Sequence, residues 1–529
     1  MQMARHHNLP GRPGVSTMIS HRARSGVIAT CLALLLSGTG LAQVSDPHLS
    51  IEPRTRAEAA RIATVTEPAT DFTAPAPFEA NQGGAGTVRR RADPQAFSMP
   101  QKNLTFQKDA RFNIGNGLFE RIWVTPPAST IASDGLGPLF NTRACQDCHV
   151  KDGRGHPPAG PDDDAGSLVV RLGIPTDAGP ADIKALRDYL STKGDPVYGH
   201  QFSDLSVAGI PSEGRVRVRW RDADSFDLPG GERVTLRRPD WSLKDLGYGP
   251  MDPATRISPR VAPQMIGLGL VEAIPASDII ALSDPRDADG DGISGRANIV
   301  WSPEYDQPML GRFGVRASTP TLRQQAADAF HSDIGIASPL HPQPWGDCTP
   351  GQTACRAAPD GLSAEQDGLE LAGDSLDLVT FYSRNLAVPA RADVGDAQVL
   401  RGKQVFHQTG CISCHRPSFV THRLTDRPEQ SFQLIWPYSD FLVHDMGPGL
   451  ADQLPAGQAS GAEWRTAPLW GIGMTAQVSG HDTYLHDGRA RSLTEAILWH
   501  DGEARASRDG FVDLPADDRA ALIAFLESL

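Results

Sequence analysis

The sequence Cys-x-x-Cys-His occurs twice in this chain, at residues 145–149 and 411–415. This spacing is typical of covalent haem attachment, because two thiols bond the two vinyl groups on one porphyrin edge while the histidine that follows reaches the iron. The two copies use four of the seven cysteines. The sequence therefore predicts two covalently bound haem c groups. Their attachment and proximal residues are Cys145, Cys148 and His149 for the first, and Cys411, Cys414 and His415 for the second.

Two other kinds of site use cysteines with this spacing. A zinc ribbon binds its ion through two Cys-x-x-Cys pairs, but it does not need a histidine directly after each pair. A redox-active dithiol of the thioredoxin type lies in a βαβ unit, and no such pattern surrounds either motif. The sequence favours haem attachment over both alternatives.

The first 42 residues have the pattern of a cleaved export signal. A basic stretch at 21–24 precedes an apolar run at 26–36, and small residues follow up to Ala42. The run is shorter than the ~20 apolar residues that a membrane-spanning helix needs, which disfavours the alternative of a membrane anchor. No later stretch is long and apolar enough to span a bilayer. The sequence therefore predicts a periplasmic protein whose mature chain has no membrane span.

The formal net charge of −13 argues against a nucleic-acid partner, because proteins that bind nucleic acid present a basic face. The same charge suits a small basic electron donor. Cys348 and Cys355 lie outside both motifs, in a loop rich in proline and glycine. We expect them to form a disulfide with each other in an oxidising compartment, and two free thiols are the alternative.

Two similar segments within the chain indicate a repeated unit. The segments at 378–382 and 522–526 have similar apolar spacing suited to a helix, and each follows one Cys-x-x-Cys-His motif. Residues 106–120 and 397–408 are the candidates for the helices that open the two units. We therefore predict a mainly α protein with two cytochrome c-like domains, the first enlarged by loop and β insertions.

The predicted β insertions come from alternating polar and apolar residues at 167–172 and 215–220. Residues 43–100 are rich in alanine, proline, threonine and charge, with little periodicity, which is typical of a flexible lead-in or a surface arm. The predicted division is a signal peptide at 1–42, a flexible lead-in at 43–100, a first haem domain at 101–389 and a second haem domain at 390–529.

Residues 287–298 have the pattern of a calcium-binding loop. Acidic residues occupy its first, third and fifth positions, and Gly292 at the sixth allows the sharp turn through which their carboxylates converge. Asn298 stands at the twelfth position, where an EF-hand has a bidentate glutamate. A polar surface turn without an ion is the alternative. The predicted calcium ligands are Asp287, Asp289, Asp291, Ile293 (through its carbonyl) and Asn298.

Further motifs follow one another in an order known from one family. They lie at residues 134–141, 145–149, 152–155, 260–265, 287–298, 444–447 and 485–490. With these motifs the chain resembles, over about residues 100–529, the di-haem oxidoreductase family, whose members are labelled peroxidases or thiol oxidoreductase-like proteins. The family is related more distantly to bacterial di-haem cytochrome c peroxidases and to MauG-type enzymes. The resemblance implies haem-based redox chemistry and leaves the substrate open.

The resemblance also implies ligands for the second haem iron. In the peroxidases a methionine that follows a Tyr-Phe-His-x-Gly region ligates the electron-donating haem, and in MauG a tyrosine takes its place. At the matching offset this chain has His500. The resemblance therefore predicts His415 and His500 as the two ligands, with Met446 and Met474 as alternatives to His500. His444, which lies in a family motif, is assigned no ligand role.

For the first haem, the sequence offers no evident axial partner opposite His149, and His156 is a weak candidate. In the peroxidases a glutamate on a loop beyond this haem handles the proton that peroxide cleavage needs. The comparable region here supplies Glu213 and Gln201 as candidate catalytic residues, and an ordinary solvated turn is the alternative for Glu213. We expect His486 near a propionate or between the haems.

Together these features predict a periplasmic di-haem c-type oxidoreductase with peroxidase-like chemistry, in which the second haem relays electrons to a reactive first haem. The expected partners are a small electron-donor protein of the cytochrome or cupredoxin type and peroxide or a similar small oxidant. Two other functions stay open, namely a non-catalytic di-haem electron-transfer protein and a MauG-like oxidant of a partner protein.

Overall fold

The computed structural model describes residues 44–164, 166–176, 179–180 and 182–529. The predicted signal peptide at 1–42 therefore lies outside the described residues. Within these ranges, no helix is both long enough and apolar enough to cross a membrane. The predicted division of the rest of the chain into a lead-in and two haem domains stays a prediction.

Short helices and short strands alternate along the chain. The α-helices are Arg56–Val65, Phe106–Phe119, Cys145–Cys148, Leu268–Glu272, Ala276–Ile280, Leu322–Ala329, Thr353–Arg356, Gly373–Asn385, Ala397–Gln408, Thr475–Ser479, Leu493–Leu498, Arg505–Val512 and Ala516–Ser528. The strands are Ile51–Glu52, Leu139–Phe140, Leu168–Pro175, Thr192–Lys193, Gln201–Phe202, Leu205–Ser206, Arg215–Leu228, Glu232–Lys244, Arg256–Val261, Ile299–Ser302, Gln307–Leu310, Phe419–Val420, Arg423–Leu424, Leu434–Ile435, Val443–Asp445 and Glu463–Arg465.

The prediction of a mainly α fold with two cytochrome c-like domains is wrong. Only 28% of the structure is helical and 19% is strand, and the strands form several small sheets. Most of the missed strands are two residues long, so they show no readable alternation. Their partners are also distant in sequence, as where Leu139–Phe140 pairs with Leu205–Ser206. Short-range patterns cannot reveal such pairings.

Two helix pairs lie where the similar segments of the sequence predicted helices. Phe106–Phe119 packs against Gly373–Asn385, and Ala397–Gln408 packs against Ala516–Ser528. The Thr105 side chain caps the first of these helices by accepting a hydrogen bond from the Lys108 amide, which defines where the helix begins. The predicted helices at 106–120 and 397–408 are therefore confirmed to within one residue.

A glycine lies at the crossing point of each helix pair. A Cβ atom on Gly115 would lie 2.3 Å from the Leu378 carbonyl oxygen, and one on Gly402 would lie 1.9 Å from the Ala521 carbonyl oxygen. Both separations are far below van der Waals contact. The two helix pairs therefore approach as closely as they do because these positions carry no side chain.

The largest strand pair is a hairpin formed by Arg215–Leu228 and Glu232–Lys244. It extends the predicted strand at 215–220 and joins distant parts of the chain. The Trp220 indole donates to the Pro158 carbonyl, just after the first motif, and Arg237 donates to the Arg489 carbonyl near the C-terminus. A second, four-stranded sheet is built around Leu168–Pro175, which pairs with Arg256–Val261 over six residues.

The segment at 44–100 is attached to the body of the protein at separated points. Asp46 forms a buried ion pair with Arg312 at 2.7 Å, and Ile51–Glu52 pairs with Arg423–Leu424. Farther along, the buried carboxylate of Glu79 contacts cationic side chains of the C-terminal part. Each contact joins positions more than two hundred residues apart, which composition alone does not reveal.

Two glycines of one helix provide a matched test of the helix crossing. We expect Gly115→Ala to lower the melting temperature, because overpacking at a close contact costs about 1–3 kcal/mol. Nothing lies within 4 Å of a Cβ atom added at Gly117, two residues away. Gly117→Ala should therefore raise stability by about 0.4–1 kcal/mol. Thermal unfolding followed by circular dichroism measures both variants, and equal effects would contradict the close crossing.

Candidate functional site

Both Cys-x-x-Cys-His motifs open onto one cavity of about 800 Å³. One turn of helix at Cys145–Cys148 and a 3₁₀ turn at Cys411–Ser413 carry the motifs. In such a turn the first and fourth residues lie on the same side, so each pair of thiols faces one ligand edge. All six motif cysteines and histidines line the cavity wall.

The two motif histidines are held in the same way. The Nδ1 atom of His149 lies 2.8 Å from the Pro263 carbonyl oxygen, and that of His415 lies 2.8 Å from the Tyr438 carbonyl oxygen. A carbonyl only accepts, so Nδ1 carries the proton in both rings and Nε2 is left with its lone pair. Burial lowers the pKa of each imidazole to about 4, which keeps both neutral. This is the state in which imidazole binds a metal.

His500 repeats this arrangement at the end of helix Leu493–Leu498. Its Nδ1 lies 2.7 Å from the Ala496 carbonyl oxygen, and burial lowers its pKa. His500 lines the same cavity as His415. It also has a minor lowering effect on the pKa of His415, after burial, so the two side chains lie near each other. Of the two alternative ligands, Met446 lines the cavity, whereas Met474 is buried in a hydrophobic core.

The pKa values of the motif thiols favour haem attachment over zinc binding. Burial raises the pKa of Cys145 and Cys148 to about 12 and that of Cys411 to about 11, which disfavours the thiolate that zinc requires. Among the described residues, no group with metal-ligand spacing contains more than one motif cysteine, and the group that contains Cys414 is completed by Asp440 and His444. The residues present therefore fit two haem groups, with His149 on one side and His415 with His500 on the other.

Behind His415 lies a buried charge network. Tyr438, whose carbonyl accepts from His415, donates its hydroxyl to Glu79 at 3.3 Å. Lys403 donates to the same carboxylate at 2.6 Å, and Arg391 also pairs with it. A buried carboxylate needs such partners to offset its desolvation. The segment at 44–100 thus supplies a residue that positions the backbone behind a candidate iron ligand.

A comparable tyrosine–carboxylate contact lies near the first motif. The Tyr382 hydroxyl lies 2.8 Å from both carboxylate oxygens of Asp152. The Asp152 backbone carbonyl accepts from the Met265 amide, which fixes the segment that carries Pro263. Burial raises the pKa of Asp152 to about 6. Each candidate haem side therefore has a buried tyrosine and carboxylate supporting the carbonyl that holds its histidine.

His444 forms a contact with the second motif that sequence reasoning missed. Its Nε2 lies 2.8 Å from Asp440, its Nδ1 lies 2.7 Å from Glu503, and the Cys414 sulfur is 3.7 Å from Nδ1. Burial alone would lower the pKa of His444, but these hydrogen bonds raise it far above the usual value, so the ring is an imidazolium. No local pattern reveals this, because Glu503 is 59 residues away.

Trp464 lies in a stack of three side chains at the cavity wall. The ring of His486 is parallel to the indole at 3.7 Å, and the Arg316 guanidinium lies 3.8 Å from the indole centroid. Burial lowers the pKa of His486 to about 3, so this imidazole is neutral. His486 lines the cavity together with residues of both motifs. Its expected place between the two haems or near a propionate stays a prediction.

The two residues expected to handle protons do not line the cavity. Glu213 is buried, where it accepts hydrogen bonds from the Ser203 amide and the Gln352 side chain, both at 2.6 Å. Gln201 turns its amide nitrogen towards Asp333 at 2.8 Å. His156 is also absent from the wall. The family resemblance did not show that Gln201, on a two-residue strand, and Glu213, in a loop, lie outside the cavity wall.

Asp333 is an acidic residue of the cavity wall near the first motif, the role for which Glu213 was predicted. It lines the cavity on a π-helical turn, Phe330–Ile334, and π turns occur often at functional sites. Burial raises the pKa of its carboxyl group, and Asp333 in turn contributes to raising the pKa values of Cys145 and Cys148. Asp333 is therefore an acid close to the first motif. Only its fold position, and no sequence motif, identifies it.

The predicted calcium loop brings three of its five ligands together. Carboxylate oxygens of Asp287, Asp289 and Asp291 lie within 4.8 Å of one another, and Gly292 adopts a φ of +84°. Asn298 does not belong to this group, because its side chain is buried and bonds to the Arg316 and Ala456 carbonyls. Its expected role as a ligand is therefore corrected, and calcium binding by the aspartates stays a prediction.

Cys348 and Cys355 are joined by a disulfide, with their Cα atoms 6.3 Å apart. The bridge lies on the side of Glu213, since Gln352 within the closed loop donates to that carboxylate. Both sulfur-bearing residues are buried with Leu139. The disulfide therefore stabilises the region behind the cavity and takes no part in its wall.

The family model described as "Di-haem oxidoreductase, putative peroxidase" matches residues 78–175 and 251–529, which is most of the chain. The chain belongs to this family. The di-haem oxidoreductase model leaves out residues 176–250, a stretch that contains the long hairpin, Gln201 and Glu213. Both motifs, His500 and Asp333 lie within the matched residues. The family match thus supports haem as cofactor and gives no support to Glu213 as a family residue.

Comparison with other proteins adds little to the family assignment. No curated protein sequence matches this di-haem oxidoreductase. Among solved structures, it is similar to one described as Kuenenia stuttgartiensis hydrazine synthase pressurised with xenon, at 18% identity and a TM-score of 0.21. The similarity covers 38% of this chain and 69% of the other. A TM-score this low carries no argument about function.

The buried position of Glu213 can be tested through the pH dependence of stability. Burial, as the main cause, raises its pKa to about 8, whereas its ordinary value is 4.5. The folded protein therefore holds a proton that the unfolded chain has released, so this residue's contribution to stability falls as pH rises through that window. Because Glu213→Gln cannot ionise, its melting temperature relative to the wild type should rise from pH 5 to pH 8 or so.

The control for this experiment is Glu365→Gln, which alters an exposed glutamate. Its melting temperature relative to the wild type should stay constant over the same pH range, since water already solvates the carboxylate. Differential scanning calorimetry of the three proteins at several pH values gives the comparison. A pH-independent difference for Glu213→Gln would contradict the raised pKa.

Proposed function

We propose that this protein is a periplasmic di-haem c-type oxidoreductase that reduces peroxide or a similar small oxidant. The observation that carries the proposal is a single cavity with both Cys-x-x-Cys-His motifs in its wall, in which His500 is a third imidazole on the second motif's side. Family membership supports the redox chemistry. The export pattern of the first 42 residues and the disulfide support the periplasm.

When bound, two haem groups supply one-electron redox centres, and an iron with a free coordination position can take up peroxide. The thiols of each motif would attach the groups covalently. His415 and His500 would hold the second group, whereas His149 would hold the first. We propose that electrons enter at the second motif and that the oxidant binds at the first.

Reduction of hydrogen peroxide to two water molecules consumes two electrons and two protons. Two redox centres can store both electrons before the oxidant is bound. Asp333, an acid with a raised pKa in the wall near the first motif, is placed to give or hold a proton. The net charge of −13 supports a small basic electron donor of the cytochrome or cupredoxin type as partner.

Variants of Asp333 and Glu213 test whether the proton-handling acid lies in the cavity wall or outside it. Positioned acid–base groups contribute ~10²–10⁴-fold to rate. We therefore expect Asp333→Asn to lower peroxide turnover about 10²-fold, with a small reduced cytochrome as donor. Glu213→Gln should leave turnover close to the wild type, because its side chain does not line the cavity. The reverse pattern would restore Glu213 as the proton-handling residue and contradict this assignment.

His500 is tested by the optical spectrum of the ferric protein. Two imidazole ligands give a low-spin iron, and loss of one leaves a five-coordinate, high-spin iron. His500→Ala should therefore convert one haem from low spin to high spin and leave the other unchanged. Met446→Leu, which changes the other candidate in the cavity wall, should leave the spectrum as in the wild type. A high-spin conversion in Met446→Leu alone would assign the ligand to the methionine.

A further inference from the structure

The cavity wall contains more positive charge than the protein itself compensates. Its six arginines are Arg154, Arg171, Arg260, Arg312, Arg465 and Arg508. Arg312 pairs with Asp46, and Arg508 pairs with Asp501 and Asp509. Among the described residues, none of the other four has an ion-pair partner; they bond to backbone carbonyls or serine hydroxyls.

The acidic residues of the wall do not balance these arginines. Asp328 is paired with His341 at 2.7 Å, and Glu503 is paired with His444. Asp333 lies near Arg171, which lowers the pKa of its carboxyl group against the larger effect of burial. Arg171 therefore has a nearby acid. The acids near Arg154, Arg260 and Arg465 are Asp487, Asp452 and Asp440 in that order, and each partly offsets the effect of burial on its arginine. Each of these acids is already bonded to another cation, namely Arg489, Arg316 and His444.

Burial makes these three guanidinium groups energetically costly. It lowers the pKa of Arg154 and Arg465 to about 10 and that of Arg260 to about 9. For Arg260 the nearby guanidinium of Arg316 adds to this lowering. Withdrawing a cation from water is unfavourable when its nearest acid is already bonded to another cation. An anion in the cavity would remove this cost.

The three arginines lie beside the two candidate haem positions. Arg260 lies three residues before Pro263, whose carbonyl oxygen holds His149. Arg465 belongs to strand Glu463–Arg465, which pairs with the strand that carries His444, a neighbour of Cys414. Arg154 follows the first motif and donates to the Thr483 carbonyl.

We propose that Arg154 and Arg260 bind propionate carboxylates of the first haem and that Arg465 binds a propionate of the second. The proposal rests on the proposed function, because it requires both haem groups to be bound. Each haem carries two propionates, and a guanidinium offers two parallel donors that match a carboxylate. A carboxylate on a free substrate has the same chemistry, so the experiment must separate these two sources.

The test is a spectroscopic redox titration of the holo-protein and its variants. Ferric haem carries one more positive charge than ferrous haem, so removal of a nearby cation stabilises the ferric state. Arg260→Gln should shift the midpoint potential of the first haem downwards, and Arg465→Gln should shift that of the second. These residues lie on different strands, so Arg465→Gln remains a test if Arg260→Gln does not accumulate.

Two control variants accompany the titration. Arg260→Lys keeps the charge and should stay near the wild-type potentials. Arg238→Gln removes an exposed charge of the hairpin and should change neither potential, because water screens it. Acetate serves as the probe for a free carboxylate, and it should leave the haem spectra of the wild type unchanged.

Unchanged potentials in both glutamine variants would overturn the proposal. An acetate-dependent spectral change that is lost in Arg260→Gln would also overturn it and assign the arginine to a free anion. Potentials are measured without turnover, so an inactive protein with the predicted shifts would contradict peroxidase activity and leave the propionate assignment standing. A purified protein without bound haem would refute both.

Discussion

The hydrogen bond from an imidazole Nδ1 to a backbone carbonyl is the interaction on which this site depends. It is present in His149, His415 and His500, with nitrogen–oxygen distances of 2.7–2.8 Å. The bond fixes the tautomer and orients Nε2 for a metal. The geometry of this hydrogen bond depends on how rigidly the backbone that carries the carbonyl is held. The buried contact between Glu79 and Tyr438 therefore serves the site although it lies outside the cavity.

The two sides of the cavity differ in their surroundings. The second motif has an additional imidazole in His500, and His444 beside it is held between two carboxylates that raise its pKa. The first motif has one such imidazole and an acid, Asp333, with a raised pKa. This asymmetry suits a division between electron entry and oxidant binding. Two copies of the same Cys-x-x-Cys-His pattern thus lie in different chemical surroundings.

The sequence predicted the features that depend on neighbouring residues. The Cys-x-x-Cys-His motifs and the helices at 106–120 and 397–408 are local patterns, and the structure contains those helices. The fold class was wrong because two-residue strands pair with distant partners. His444 was missed for a related reason, since two of its partners, Glu503 and Cys414, come from separate segments. The burial of Glu213, in the loop before the long hairpin, likewise depends on three-dimensional packing alone.

The most direct measurement is electron paramagnetic resonance of the wild-type protein, both as isolated and half-reduced, before and after peroxide is added. The account predicts a low-spin signal from a haem with two imidazole ligands, and a second haem that is high-spin in at least one of the two states. Peroxide should change the signal of that second haem. Two haems that stay low-spin in both states and do not respond to peroxide would contradict the account and favour a non-catalytic electron-transfer protein.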